Sequence, residues 1–190
     1  MTRGVFSDFE VREMGIKFKD ATGNTYKVAN CVGTCEEEME AKVITKSCRG
    51  VVAKKKVRGT GSGTLSLSLH MPWEIYTEAY GMELDTLVDG VKAYGQNSIH
   101  EAFSIVQHIF DEDGEEKFKA YPNCIIESGK ISKIENGAEE VAEIELDVSV
   151  LPDDYGNGVY EALASELTDE TIKTKWMTEF DPSMVQTTSA

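Results

Sequence analysis

A chain of 190 residues, 41% hydrophobic and 28% charged, can bury one sizeable core, which favours a single folded soluble domain over a disordered or fibrous chain. Its formal net charge of −15 repels a phosphate backbone and argues against tight, sequence-independent nucleic-acid binding. No apolar run approaches the roughly 20 residues that span a bilayer, and residues 1–20 lack the basic start and apolar segment of a signal peptide, so synthesis and residence in the cytoplasm are expected, without a membrane partner.

Residues 1–14 hold no clear period and read as an N-terminal arm; residues 16–28, broken by Thr22-Gly23-Asn24, read as a hairpin. Residues 31–62 read as a long hairpin or loop. Within it, 36–58 flanks an apolar centre with the acids Glu36, Glu37, Glu38 and Glu40 and the bases Lys54, Lys55, Lys56 and Arg58. Folded about Ser47-Cys48-Arg49-Gly50, it brings Glu37 near Arg58 and Glu40 near Lys55, pairs worth roughly 0.2–1 kcal/mol each. A helix over 36–42 is the competing reading. After three glycines, Gly59, Gly61 and Gly63, the leucines 65, 67 and 69 alternate with Thr64, Ser66, Ser68 and His70, the period of a half-buried strand. Pro72 opens a short helix carrying Trp73, Tyr76 and Tyr80, which Gly81 can close.

Residues 103–110, 116–121 and 123–127 are short strand candidates. In 142–150, Ala142, Ile144, Leu146, Val148 and Val150 face one way while Glu143, Glu145, Asp147 and Ser149 face the other. Residues 153–158 read as a turn-rich loop, 160–167 as a helix, 168–190 as a C-terminal arm, and 187–190 as a frayed end. The fold class is therefore mainly β: a single domain, 1–190, built as an antiparallel β-sandwich or barrel with a flanking short helix and a long early hairpin.

Little in the chain points to catalysis, and no catalytic residue is assigned. The glycines precede a strand, whereas a phosphate cradle needs them ahead of a helix, and no Gly-Lys-Ser/Thr follows. Cys31, Cys35, Cys48 and Cys124 lack zinc-site spacing and read as reduced structural thiols, so neither a metal nor a cofactor is expected. No nucleophile elbow frames Ser66, Ser68 or Cys124, and His100 and His108 read as structural. Glu143, Glu145 and Asp147 would stand roughly 6–7 Å apart along one strand, too spread for a calcium site, so they form an acidic face. Charge is also uneven along the chain. Residues 1–58 hold 12 bases against 8 acids and the remainder 7 against 26, which suits head-to-tail self-association, with an ordinary solubilising surface as the alternative reading.

The stretches GTLSLSLHMPWEIYTEAYGM (63–82) and VAEIELDVSVLPDDYGNGVYEA (141–162) resemble the major tail proteins of long-tailed bacteriophages, particularly those of Gram-positive hosts. The resemblance implies a structural, non-enzymatic virion protein of the tail tube, assembled in the host cytoplasm. It implies hexameric rings stacked into a conduit for DNA, with the tape measure protein and other tail proteins as partners. Residues 36–58 are then the candidate inter-ring hairpin, through Glu36, Glu37, Glu38, Glu40, Lys54, Lys55, Lys56 and Arg58. A lumen that must not hold DNA matches Glu143, Glu145 and Asp147, backed by Thr64, Ser66 and Ser68, as lumen-facing positions. Other ring-forming components, a distal tail protein or a contractile or secretion tube subunit, share the architecture. A small cytoplasmic enzyme or binding module is the reading from another class.

Overall fold

The computed structural model describes residues 6–19, 25–30, 32–132, 134, 136–137 and 142–187. The readings made above for 1–5, 22–24, Cys31 and 188–190 lie outside the described residues. The chain forms β1 (Glu10–Phe18), β2 (Lys27–Val28), β3 (Val32–Cys48), β4 (Val51–Leu69), α1 (Trp73–Ala79), β5 (Phe103–Phe110), β6 (Glu116–Ile126), β7 (Ile144–Val150), β8 (Tyr160–Leu163) and α2 (Glu170–Glu179). A 3-10 turn over Pro182–Val185 follows. The stretch read as an N-terminal arm thus gives Glu10–Met14 to β1, and the stretch read as a C-terminal arm holds α2.

The strands make one antiparallel sheet in the order β2-β1-β5-β6-β7-β4-β3, with β8 added beside β6. The mainly-β, antiparallel, sandwich-like fold expected from the strand periodicity is what the chain adopts. The sheet curls until its last strand faces its middle: Glu37 of β3 accepts hydrogen bonds from Tyr121 and Lys119 of β6. Leu65, Leu67 and Leu69 of β4 and Leu146, Val148 and Val150 of β7 fill the inside of this curl with Met14, Ile16, Phe103 and Ile105. Period-2 alternation puts these side chains on one face, and their burial gives the sheet its fixed register.

Helix α1 closes one end of that core with Ile75, Tyr76 and Ala79, joined by Tyr80 just beyond it. Its ending follows from Gly81, in the left-handed region at φ +57. Gly81 N–H donates to Glu78 (2.9 Å) and Met82 N–H to Thr77 (2.9 Å), which together satisfy two carbonyls that the helix leaves open. A Cβ at position 81 would strike the carbonyl of Ile99, so glycine is required twice over.

The opposite face of β5 and β6 carries a second core, in which Val106, Phe118 and Ala120 meet Tyr26, Trp176 and Phe180. Asp169 caps α2 by accepting the N–H of Thr171 at 2.8 Å. Residues 116–121 and 123–127 join into the single strand β6, with Pro122 at the register shift where Phe103 opposes Cys124 and Ile105 opposes Tyr121. A bulge is where a strand tolerates proline. It also divides the partners of β6: residues 117–120 pair with β8 and 124–126 with β7. Residues 160–163, read as the start of a helix, are strand β8, held by that free edge.

Tyr26 gives the second core a pH dependence. Its hydroxyl donates to the carbonyl of Phe180 (3.3 Å) and accepts from Ser104 (3.0 Å), and burial pushes its pKa up to about 12 from 10.0. Between those values the unfolded chain has lost a proton that the folded chain keeps. The contribution is therefore intact below pH 10 and is lost as pH rises to 12, by about 2–3 kcal/mol for a shift of this size. Urea titrations at pH 9 to 12 are expected to show a shallower loss of stability in Tyr26→Phe than in the wild type; equal slopes would refute this.

Candidate functional site

Two surfaces of opposite charge stand out, and both come from the β3–β4 hairpin. The turn at Arg49 (φ 52) and Gly50 (φ 77) has both central residues at positive φ, the two-residue form whose twist matches that of the strands. It pairs Cys48 with Val51 and sets the register upward from there. The charge-paired register expected from the sequence is not adopted. Glu37 opposes Leu65 rather than Arg58, and Lys55 opposes Thr45 rather than Glu40. Each cross-strand ion pair is worth at most about 1 kcal/mol, whereas burying one leucine is worth roughly 1.5–3, so the turn and the leucines prevail.

From this register comes a basic arm. Residues 41–60 are exposed throughout, and so project from the body as a two-stranded ribbon roughly 30 Å long. The arm carries Lys42, Lys46, Arg49, Lys54, Lys55, Lys56 and Arg58 and no acid, leaving 12 bases against 34 acids in the rest of the chain. Lys42 stands opposite Arg58 and Lys46 opposite Lys54, like charges that weaken the ribbon. None of the seven makes an ion pair with a described residue. Val43, Ile44, Val51, Val52 and Val57 lie exposed among them.

The glycines mark where arm and body meet. They lie inside β4, beside a register shift between Met39 and Ala41, so they form a bulge within one strand. Gly61 (φ 80) lies so near the 153–158 loop that a Cβ there would come within 2.6 Å of the Gly156 carbonyl.

The body half of the hairpin supplies the second surface. Across the outward face of β3, β4 and β7, Glu36 opposes Ser66, which opposes Asp147; Ser68 opposes Glu145, and Glu38 opposes Thr64. Ser66 Oγ donates to Asp147 (3.3 Å), and Ser68 Oγ donates to Glu143, whose carboxylate lies where a side chain at Gly33 would be. All six residues assigned to the acidic face therefore stand together. Glu36 and Glu38, assigned by sequence to the hairpin's contacts, share this face with them. Glu40 is exposed at the bulge, where its carbonyl accepts from Thr60 Oγ1 at 3.3 Å.

Glu37 goes the other way. Its carboxylate turns inward to Lys119 (2.8 Å) and Tyr121. Burial alone would lower the Lys119 pKa, but the hydrogen bonds and charges of Glu161 and Glu37 outweigh it and raise it. Burial, reinforced by Glu37, raises the Tyr121 pKa as well, so both groups keep their protons and donate to the glutamate. Nothing in a run of three glutamates tells which one points inside; only the register does.

The described histidines near β5 are bound within the chain: His100 Nδ1 lies 2.8 Å from the Ile126 carbonyl, and His108 Nε2 lies 3.1 Å from Glu116. Cys35, Cys48 and Cys124 form no disulfide, and burial raises the pKa of Cys35 and Cys124. Among the described residues no cluster of three His, Cys, Asp or Glu side chains could hold a metal ion, and no helix is long and apolar enough to cross a membrane.

No protein-family model matches the chain, and no curated protein matches it in sequence. Among solved structures, the cryo-EM structure of the anti-feeding prophage cap, which terminates the AFP tube, is similar, with a TM-score of 0.47 and 11% identity. The match covers 86% of this chain and 97% of that one.

Proposed function

We propose that the chain is a structural subunit of a phage-tail-type tube, which polymerises as stacked hexameric rings into a conduit for DNA in the virion. The observation that carries this reading is the arm. An isolated two-stranded ribbon is marginal in water, and this one also sets like charges opposite each other and exposes five aliphatic side chains. Such a segment is stabilised by covering it with an anionic partner, and the body of a second copy is strongly anionic. Arm-to-body association joins two different surfaces, and where it runs head to tail such heterologous contacts build rings or filaments rather than closed dimers.

The acidic face completes the reading. Glu143, Glu145 and Asp147, with Glu36 and Glu38 beside them, would line the lumen, where carboxylates repel passing phosphates over about a Debye length, ~8 Å at physiological salt. The ring of six, the tape measure protein and the other tail partners come from the resemblance of 63–82 and 141–162 to major tail proteins. Assembly would take place in the host cytoplasm, and no catalytic step is assigned.

Electron microscopy of the purified, concentrated full chain tests this. Rings or hollow tubes are the expected result, with Glu145 and Asp147 on the inner wall in a reconstruction. A chain that stays monomeric at every concentration, or a tube with those carboxylates on its outer wall, would overturn the reading.

A further inference from the structure

A cavity of about 560 Å³ opens at the seam where the curled sheet fails to close, between β1 and the body half of β3 and above β5 and β6. One polar atom among its lining residues has no partner among the described residues. Gln107 is fully buried and uses its amide nitrogen on Cys35 Sγ (3.3 Å) and, more distantly, Met14 Sδ (3.8 Å), while its Oε1 accepts from no described residue. A buried carbonyl oxygen left without a donor costs about 1–3 kcal/mol, which a ligand carrying an N–H would recover.

The charges around the cavity narrow the ligand. Asp8, Glu10 and Glu37 line it with Lys119; Asp8 is paired with Lys117, Glu10 with Arg12 at 2.8 Å, and Lys119 is shared between Glu37 and Glu161 at 2.8 Å each, so four acids meet three bases. Both hydrogen bonds to Glu37 fall on Oε2. The cavity thus offers the second oxygen of Glu37 and the Gln107 carbonyl as acceptors and one negative charge in excess, with Val11 and Ile109 as apolar wall, and it suits an ammonium or guanidinium group on an aliphatic stem.

We propose that this seam cavity receives a lysine or arginine side chain from the basic arm of a second copy. The arm is the part of the described chain with cations in surplus, and the seam has both room and an unused acceptor. The proposal rests on the reading of the arm as an inter-copy contact and names the surface that receives it. The acidic face, though more charged, is open to solvent and has no buried acceptor to satisfy.

The test uses the full chain carrying glutamate at positions 54, 55, 56 and 58, whose own arm cannot compete, with a synthetic peptide of residues 41–60 (Cys48→Ser) as probe. The peptide is expected to bind, and adding Gln107→Leu to the receptor is expected to weaken it about tenfold or more. Paired Glu145→Gln and Asp147→Asn are expected to change it less than about twofold. Independently of any cavity variant, saturating peptide is expected to slow alkylation of Cys35 and leave that of Cys48 on the receptor unchanged.

Absence of binding, equal affinity for Gln107→Leu, loss of binding on the acidic face instead, or an unprotected Cys35 would each overturn the proposal. The outcomes separate it from the tube reading. Tubes from the wild type without Cys35 protection would sink the cavity alone, and a bound, protecting peptide without tubes would sink the tube alone.

Discussion

Glutamate at Lys54, Lys55, Lys56 and Arg58 together is expected to abolish self-assembly at concentrations where the wild-type chain polymerises, without unfolding the subunit. The four substitutions reverse four of the arm's seven cations, taking its charge from +7 to −1. Like-charge juxtaposition against an acidic partner costs several kcal/mol, so the concentration needed for assembly should rise by about two orders of magnitude or more. The subunit should lose nothing. None of the four side chains touches the core, and exposed substitutions of this kind stay within about 0.5 kcal/mol. Two of them even improve the arm, because Lys46 would then face a glutamate at 54 and Lys42 one at 58. Sedimentation and thermal melting of the same samples decide the matter. Unchanged assembly would remove the arm from the contact, and a lowered melting temperature would show that it supports the fold. Wild-type assembly should also weaken as salt is raised from 0.1 to 1 M, where the Debye length falls from about 10 to about 3 Å.

The largest effect on stability is expected from Trp176→Ala, at about 3–5 kcal/mol. Trp176 is 1% exposed, stacks on Phe118 with centroids 5.8 Å apart, contacts Phe180 at 4.6 Å and donates its indole N–H to the Lys119 carbonyl at 3.3 Å. It is the one residue of α2 that is fully buried, so the helix is held to the sheet largely through it. A loss of this size is a large part of the 5–15 kcal/mol that holds a typical domain. Trp176→Phe, which keeps the ring contact and loses the hydrogen bond, should cost less than half as much in the same urea titration. Equal costs would place the contribution in the hydrogen bond rather than in the ring.

That helix was not legible as such. A stretch that buries one side chain in ten residues shows no apolar stripe, and only Asp169 with Glu170 behind it hinted at a helix start. Strands β4 and β7 were legible because each buries every second residue along a regular run, and α1 because Pro72 and Gly81 punctuate it. The acidic face followed from the same alternation in β7. What alternation cannot supply is which residues lie opposite one another. In the hairpin, charge suggested one register, and the Arg49-Gly50 turn with three register shifts imposed another. Glu37 consequently joined Lys119 inside, and Glu36 and Glu38 joined Asp147 and Ser66 outside. The seam cavity was invisible for the same reason: Cys35 of β3 is brought to Gln107 and Lys119, paired on the consecutive strands β5 and β6, across 72 residues of chain.

Strand β4 runs unbroken from the tip of the arm at Val51 to Leu69 in the core, bonded to β3 along its length and to β7 from Gly63 onward. A pull on the arm along its own axis would therefore be resisted by many backbone hydrogen bonds sharing the load in shear, instead of opening one after another like a zipper. Tension passing from one subunit to the next would be delivered straight into the leucine ladder. The bulge at Gly59–Gly63 is the point where such a strand can bend under a sideways load without giving way.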